Sequence, residues 1–469
     1  MEIIDTDEGR LLIVSLVFVT AREAIQQVHQ LKGTTMINQI NVNRLDIDAH
    51  LILFLSRLVK TDGRSWRSLT LNDCTVGALD AMQENKFLDV LSRFASLFLH
   101  SSTYQETPNA TTSPYYILPL RGASRVSTLG LCVNNMDDSL VQLLVPCLSS
   151  TTNCRVSRLH LASRRGAFQA AILAEAFRGN ISLENLELEI GDWELPNHDD
   201  LFLLLSALCG HSRLKQLNIQ DMDLSDRTLQ ALGDMMLHPD SRLEEVIFNY
   251  PKMPVNVSVL APAIAQNPPS FKELDISFCE LVDTEVLPLI DALTRNTHME
   301  TLDLSYNSGL TETLLIYLGD RLPRIHLKAL NVLDLHPSSP SPAALQAISE
   351  GLEQNTRMKV LMLELGQDLV SAQRIQFHLN LNRGGRRALD EKIPLALWPL
   401  VLERAQRCNH SYPVFYPTSA TIDSTYYLLR HEPALWQRSH GAKTKARLPV
   451  VHRIIQWLCG NKLLIKYSQ

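Results

Sequence analysis

The stretch Phe271–Met299, FKELDISFCELVDTEVLPLIDALTRNTHM, decides the fold. It opens on an alternation: Leu274 and Ile276 are apolar, and Glu273, Asp275 and Ser277 between them are polar. Side chains alternate across a strand, so the two apolar residues face a core. After Cys279 and Leu281 the period changes. Val286, Leu289, Ile290 and Leu293 recur at helical spacing, and Asn296 closes the run. A second copy follows at once, METLDLSYNSGLTETLLIYLGDRL, with Leu302, Leu304, Asn307 and Leu310 in the corresponding places. Leu274, Leu302 and Leu330 stand 28 residues apart in succession.

The same register extends both ways. The first strand leucine of each unit is Leu69, Leu129, Leu159, Leu186, Leu217, Val246, Leu274, Leu302, Leu330 and Leu361. From Leu129 the spacings are 30, 27, 31, 29, 28, 28, 28 and 31. A period of this kind, strand then helix, resembles L-x-x-L-x-L-x-x-N/C-x-L leucine-rich repeats. The unit length is similar to the ribonuclease-inhibitor-like class, whose repeats carry a full α-helix, over Trp66–Gly366. The resemblance implies an α/β solenoid (horseshoe), with parallel strands on the concave face and helices on the convex face; the residues after the array suggest a helical C-terminal cap. Three segments are expected: residues 1–65 as N-terminal cap and degenerate first repeat, 66–369 as the repeat array, and 370–469 as a basic helical segment. Near the N-terminus, Arg22–Lys32 and His50–Lys60 read as helices and Ile40–Ile47 as a strand, with Leu45 in the register position. Leu11–Val19 is too short to span a membrane and follows acidic residues, so it reads as part of the cap rather than as a secretion signal.

Leu69 and Leu129 are 60 residues apart, twice the usual step. The helix after Leu69 is expected to include Phe87, Val90, Leu91, Phe94 and Leu97. The Ser/Thr/Pro-rich run His100–Pro114 then reads as a surface loop that interrupts the array.

Charge is unevenly spread. Val370–Gln469 holds 15 Lys and Arg against 5 Asp and Glu. The whole chain holds 44 against 50, which leaves 29 against 45 for residues 1–369. The eight cysteines contain no C-x-x-C pair, so a zinc site is not expected, and reduced, buried thiols fit the cytoplasm or nucleus.

Strand positions between the leucines face away from the core and form the candidate partner-binding surface. Those singled out are Arg158, His160, Glu187, Glu189, Gln216, Asn218, Glu245, Asn249, Asp275, Ser277, Asp303 and Ser305. A wall of largely one sign focuses field and suits a basic partner. Trp193, Tyr250, Phe278 and Tyr306 stand just past strands and form a candidate aromatic edge, Trp193 from the loop GDWELPNHDD.

No G-x-S-x-G, H-E-x-x-H, Walker A or Rossmann pattern is present, and NRGGRR at 382–387 lacks the Lys-Ser/Thr of a phosphate loop. The reading is therefore a non-enzymatic scaffold binding a protein, without cofactor, metal, membrane span or nucleic acid. Two alternatives share the repeat class. One is a Ran-type GTPase activator, for which Arg158, Arg164 and Arg165 would be candidates. The other is a substrate adaptor of a ubiquitin ligase. The tail from HLNLNRGGRR through IPLALWPLVLERA to STYYLLRHEPALW resembles that of uncharacterised diatom leucine-rich repeat families, as does SWRSLTL in the first repeat.

Overall fold

The computed structural model describes residues 2–6, 9–15, 37–43, 46–60, 66–76, 79–100, 126–148, 154–193, 200–251, 253–335, 340–364 and 368–387. The chain divides into two units, Met1–Cys279 and Glu280–Gln469.

The first unit holds strands β1 (Glu2–Thr6), β2 (Gly9–Ser15), β3 (Ile37–Asn43), β4 (Asp46–Ile47), β5 (Trp66–Asn72), β6 (Thr75–Val76) and β7 (Phe94–His100). It continues with β8 (Thr128–Asp137), β9 (Arg158–Ala167), β10 (Asn185–Trp193), β11 (Gln216–Gln220), β12 (Glu245–Asn249) and β13 (Glu273–Asp275). Strand order follows chain order, apart from β4 and β6, which pair in a small sheet of their own. Apart from the antiparallel β1–β2 hairpin, the strand pairs among the described residues of this unit are parallel. Parallel neighbours need a crossover, and helices such as Ala81–Leu91, Ala170–Gly179 and Asp226–Leu237 supply it.

The register aligns one apolar column across the sheet: Ile40, Leu69, Leu97, Leu129, Leu159, Leu186, Leu217, Val246 and Leu274. None of these is more than 2% exposed. Each pairs with the same column member of the next repeat, so burial is shared along the stack. The turn after the strand is sealed by a small side chain. The Cys74 thiol donates to Val42 O (3.3 Å) and that of Cys279 to Phe248 O (3.2 Å). Ahead of β10, the buried Asn180 side chain donates to Leu148 O (2.7 Å) and accepts from the Leu183 N–H (2.8 Å).

Three expectations are corrected here. Phe94 and Leu97 do not continue the helix. That helix is Ala81–Leu91, started by an Asp80–Gln83 capping box and stopped at Ser92. Phe94–His100 is instead a full strand, with Leu97 paired between Leu69 and Leu129. The gap of 60 therefore holds two repeat steps, of 28 and 32 residues. His100 belongs to this strand, and the expected loop beyond it lies outside the described residues. Secondly, Ile40, not Leu45, takes the register position opposite Leu69. Thirdly, Cys209, expected with the other cysteines to be a buried thiol, is exposed, one residue past the helix Asp200–Leu208. The expected helix Arg22–Lys32 lies outside the described residues.

The second unit carries β14 (Thr301–Asp303), β15 (Ala329–Val332) and β16 (Val360–Leu363), with Leu302 paired to Leu330 and Leu330 to Leu361. The helices Asp283–Leu293, Glu312–Arg321 and Pro342–Gln354 follow the repeat, and Leu369–Arg383 is the last described helix. The NRGGRR segment caps its neighbour. Asn382 Nδ2 donates to Asn355 O (2.8 Å) and Met358 O (2.7 Å). Arg386 is buried and donates to Leu352 O (2.9 Å), Glu353 O (3.2 Å) and Asn355 O. These groups satisfy the carbonyls that a helix end leaves unpaired. No described helix is long and apolar enough to cross a membrane. Strand, helix and register together make the chain an α/β leucine-rich repeat solenoid.

Candidate functional site

In the first unit the outward strand positions form rows across the sheet. One runs Thr70, Phe98, Gly130, His160, Glu187, Asn218, Ile247 and Asp275. A second runs Asn72, His100, Cys132, Ala162, Glu189, Gln220 and Asn249. A third passes through Arg158, Asn185, Gln216, Glu245 and Glu273. Neighbouring strands lie about 4.8 Å apart, so carboxylates on successive strands act as one surface.

His160 stands where the acidic part of the face begins. Its Nδ1 lies 4.0 Å from Glu187 Oε2 and its Nε2 3.9 Å from Glu189 Oε2. Asn218 Nδ2 donates to Glu187 Oε1 (3.2 Å), and Gln216 Nε2 donates to Glu245 Oε2. Cys132 feels the same carboxylates: burial first, then Glu189 and Glu187, push its thiol up to about 11. That thiol is a protonated spectator at neutral pH.

The N-terminal ends of the strands are different. There the residue before each strand forms a paired ladder: Lys215–Glu184 (3.1 Å) and Lys272–Glu244 (2.6 Å) in the first unit, and Lys328–Glu300 (2.5 Å) in the second. The Lys215 hydrogen bond holds the Glu184 carboxyl below its usual range. This edge is internally neutralised, unlike the acidic rows beside it.

Two of the singled-out residues are not surface groups. Ser277 is buried, and both its N–H (2.9 Å) and its hydroxyl (2.7 Å) donate to Asp275 Oδ1. In the second unit Ser305 is buried too; its N–H donates to Asp303 Oδ1 (2.9 Å) and its Oγ accepts from the Leu333 N–H (3.3 Å). Asn331 Nδ2 also donates to Asp303, to Oδ2 at 2.7 Å. Ser277 and Ser305 are therefore turn staples, and Asp275 and Asp303 are engaged in the same staples.

Phe98 and His100 were missed because their strand was missed. Their rings stack at 6.5 Å with an interplanar angle of 26°. A Cβ at Gly130 would collide with the Phe98 ring, so glycine there leaves room for an aromatic platform. Burial, then the nearby His160, lowers the His100 pKa. The available signal was Leu97 and Leu99 in SLFL, which repeats the Leu69–Leu71 pattern of SLTL.

The aromatic edge has a common backbone cause. Four residues after the strand leucine, the chain takes a left-handed conformation at Asp73, Asp221, Tyr250 and Phe278 in the first unit, and at Tyr306 and Asp334 in the second. Asp tolerates that conformation, whereas a bulky aromatic is strained in it. Tyr250 and Phe278 nevertheless occupy adjacent positions, the Tyr250 N–H donating to Phe278 O (3.2 Å), and their rings stack at 4.6 Å. Tyr250 is 50% exposed and Tyr306 47%. Trp193 is not in a loop: it ends β10, paired with Gly166.

No family model matches the chain, and no curated protein matches it. Solved structures do resemble it. An internalin from Listeria monocytogenes aligns at 15% identity and TM-score 0.37, over 75% of this chain and 91% of that one. Rad7, from the yeast Rad7–Elc1 complex, aligns at 14% identity and TM-score 0.36, over 71% of each chain. A chain of the Drosophila Toll–Spatzle complex aligns at 12% identity and TM-score 0.39, over 76% of this chain and 49% of that one.

Proposed function

We propose that the protein is a non-enzymatic scaffold that binds a protein partner with a basic surface across the strand face of its first unit. The observation that carries this reading is the pairing of two features on one surface. Glu187, Glu189 and Glu245 line adjacent outward rows, and Tyr250 stands half-exposed at the rim in a backbone conformation that disfavours it. Sibling turns use Asp at the same position, so folding alone does not call for an aromatic there. Strain kept at an exposed aromatic points to function, and Tyr is a common interface anchor. Arg158, His160, Gln216, Asn218, Asn249 and Asp275 complete the surface in the first unit. In the second unit, Asp303 and Tyr306 offer the same chemistry.

Helices of 12 residues (Asp226–Leu237) and 13 residues (Pro342–Gln354) support the ribonuclease-inhibitor-like class. The division into cap, array and basic C-terminal segment, and an intracellular location, belong to the same proposal. So does the diatom-like tail, most of which lies outside the described residues.

The test is affinity capture from lysate with wild type beside Glu187→Lys/Glu189→Lys, at low and moderate salt. The reading expects a basic protein held by wild type and lost by the double variant while the variant keeps wild-type stability. The same proteins held equally by both would overturn it.

A further inference from the structure

We propose that the rim of the first unit is an arginine-recognition site, in which Tyr250 and Asp221 take the guanidinium of an arginine presented by the partner. This rests on the protein-binding reading above and names the group recognised.

Asp221, Tyr250 and Phe278 occupy three consecutive left-handed turns along the rim. Asp221 N–H donates to Asn249 O (3.1 Å) and Tyr250 N–H to Phe278 O (3.2 Å), so the three stand one strand spacing apart. Phe278 backs the Tyr250 ring from one side at 4.6 Å. Among the described residues, neither the Asp221 carboxylate nor the Tyr250 hydroxyl has a hydrogen-bond or ion-pair partner. The row thus offers a π-face and an adjacent carboxylate with no cation on them.

The chain shows elsewhere what completes such a pair. In the second unit the Arg321 guanidinium lies 3.6 Å from the Tyr317 ring centroid, its Nε donates to Asp291 Oδ1 (3.2 Å), and the Tyr317 hydroxyl donates to Asp291 Oδ2 (2.6 Å). Those hydrogen bonds hold the Asp291 carboxyl below its usual range. Tyrosine, aspartate and arginine form a closed set there; at the rim the arginine is the missing member. Arginine rather than lysine fits, because a planar guanidinium stacks on a ring while its edge pairs with a carboxylate.

The experiment titrates fluorescein-labelled octa-arginine and octa-lysine into the full chain and reads anisotropy at moderate salt. Equal charge makes the two peptides alike in bulk electrostatics, so any difference reports stacking and fork geometry. Octa-arginine is expected to bind about 2–5-fold more tightly. Tyr250→Asn, which suits the left-handed backbone, should abolish the difference by weakening octa-arginine more than octa-lysine, and Tyr250→Phe should keep it. Asp221→Asn should weaken octa-arginine more than octa-lysine. Equal affinities in wild type, or a preference that survives Tyr250→Asn, overturn the proposal. Failure here leaves partner capture through Glu187 and Glu189 untouched; loss of the Glu187/Glu189 dependence with the arginine preference intact overturns the broader reading instead.

Discussion

Replacing Leu97 by Ala tests the strand that closes the long gap in the repeat. Leu97 is fully buried, between Leu69 and Leu129 in the shared column. Truncation removes about three carbons from water-free packing, at ~0.8 kcal/mol each. The cavity left behind adds to this, for a total of ~3–4 kcal/mol. Phe98 is the internal control. In a strand it faces away from Leu97, only partly buried over Gly130, so Phe98→Ala should cost clearly less than Leu97→Ala, ~1 kcal/mol. Were the segment a continuation of the helix Ala81–Leu91, Phe87, Leu91, Phe94 and Phe98 would share one face. Phe98→Ala would then cost as much as Leu97→Ala. Urea unfolding followed by circular dichroism measures both, with an unchanged slope identifying a pure stability effect. Equal costs, or a negligible cost for Leu97→Ala, would refute the strand.

Arg386→Met should destabilise the second unit by ~2–4 kcal/mol, because the buried carbonyls of Leu352 and Asn355, and the part-buried one of Glu353, lose charge-assisted donors; urea unfolding measures it. His378 sits against Arg386 (3.4 Å), and burial first, then that guanidinium, lowers its pKa to about 4. A depressed histidine pKa means the folded state disfavours the proton, so stability is full above about pH 6.5 and falls as pH drops towards 4; His378→Leu should flatten the midpoint-versus-pH curve over that window. Ser277→Ala should cost ~1 kcal/mol through the lost Asp275 bond, and Asp275→Lys more, whereas Glu187→Lys should leave the unfolding midpoint within ~0.5 kcal/mol of wild type.

The core column was legible from the sequence because strand leucines recur at a near-constant step and each is shared with its neighbour. Leu97 was not, for two reasons. The aromatics Phe87, Phe94 and Phe98 fit a helical spacing as well as a strand, and the following step is longer than usual. Leu45 looked like the register residue because it is a leucine; Ile40 holds the place because the strand Ile37–Asn43 puts it opposite Leu69. The alternation tells which strand positions point outward only as far as the strand lasts. Ser277 and Ser305 fall after the short strands Glu273–Asp275 and Thr301–Asp303 end, where the chain turns and the period of two no longer applies. The aromatic edge was visible as residues, but its left-handed backbone was not, since Tyr and Phe carry no local signal for that conformation.

Carboxylate footprinting tests the binding surface most directly. Carbodiimide labelling of the full chain, free and saturated with the captured partner, reads Glu187, Glu189 and Glu245 against the helix carboxylates Glu175 and Asp234. The account predicts that labelling of the three strand-face glutamates falls on complex formation while Glu175 and Asp234 label as before. Protection confined to the helix carboxylates, with Glu187, Glu189 and Glu245 labelled as in the free chain, would contradict it.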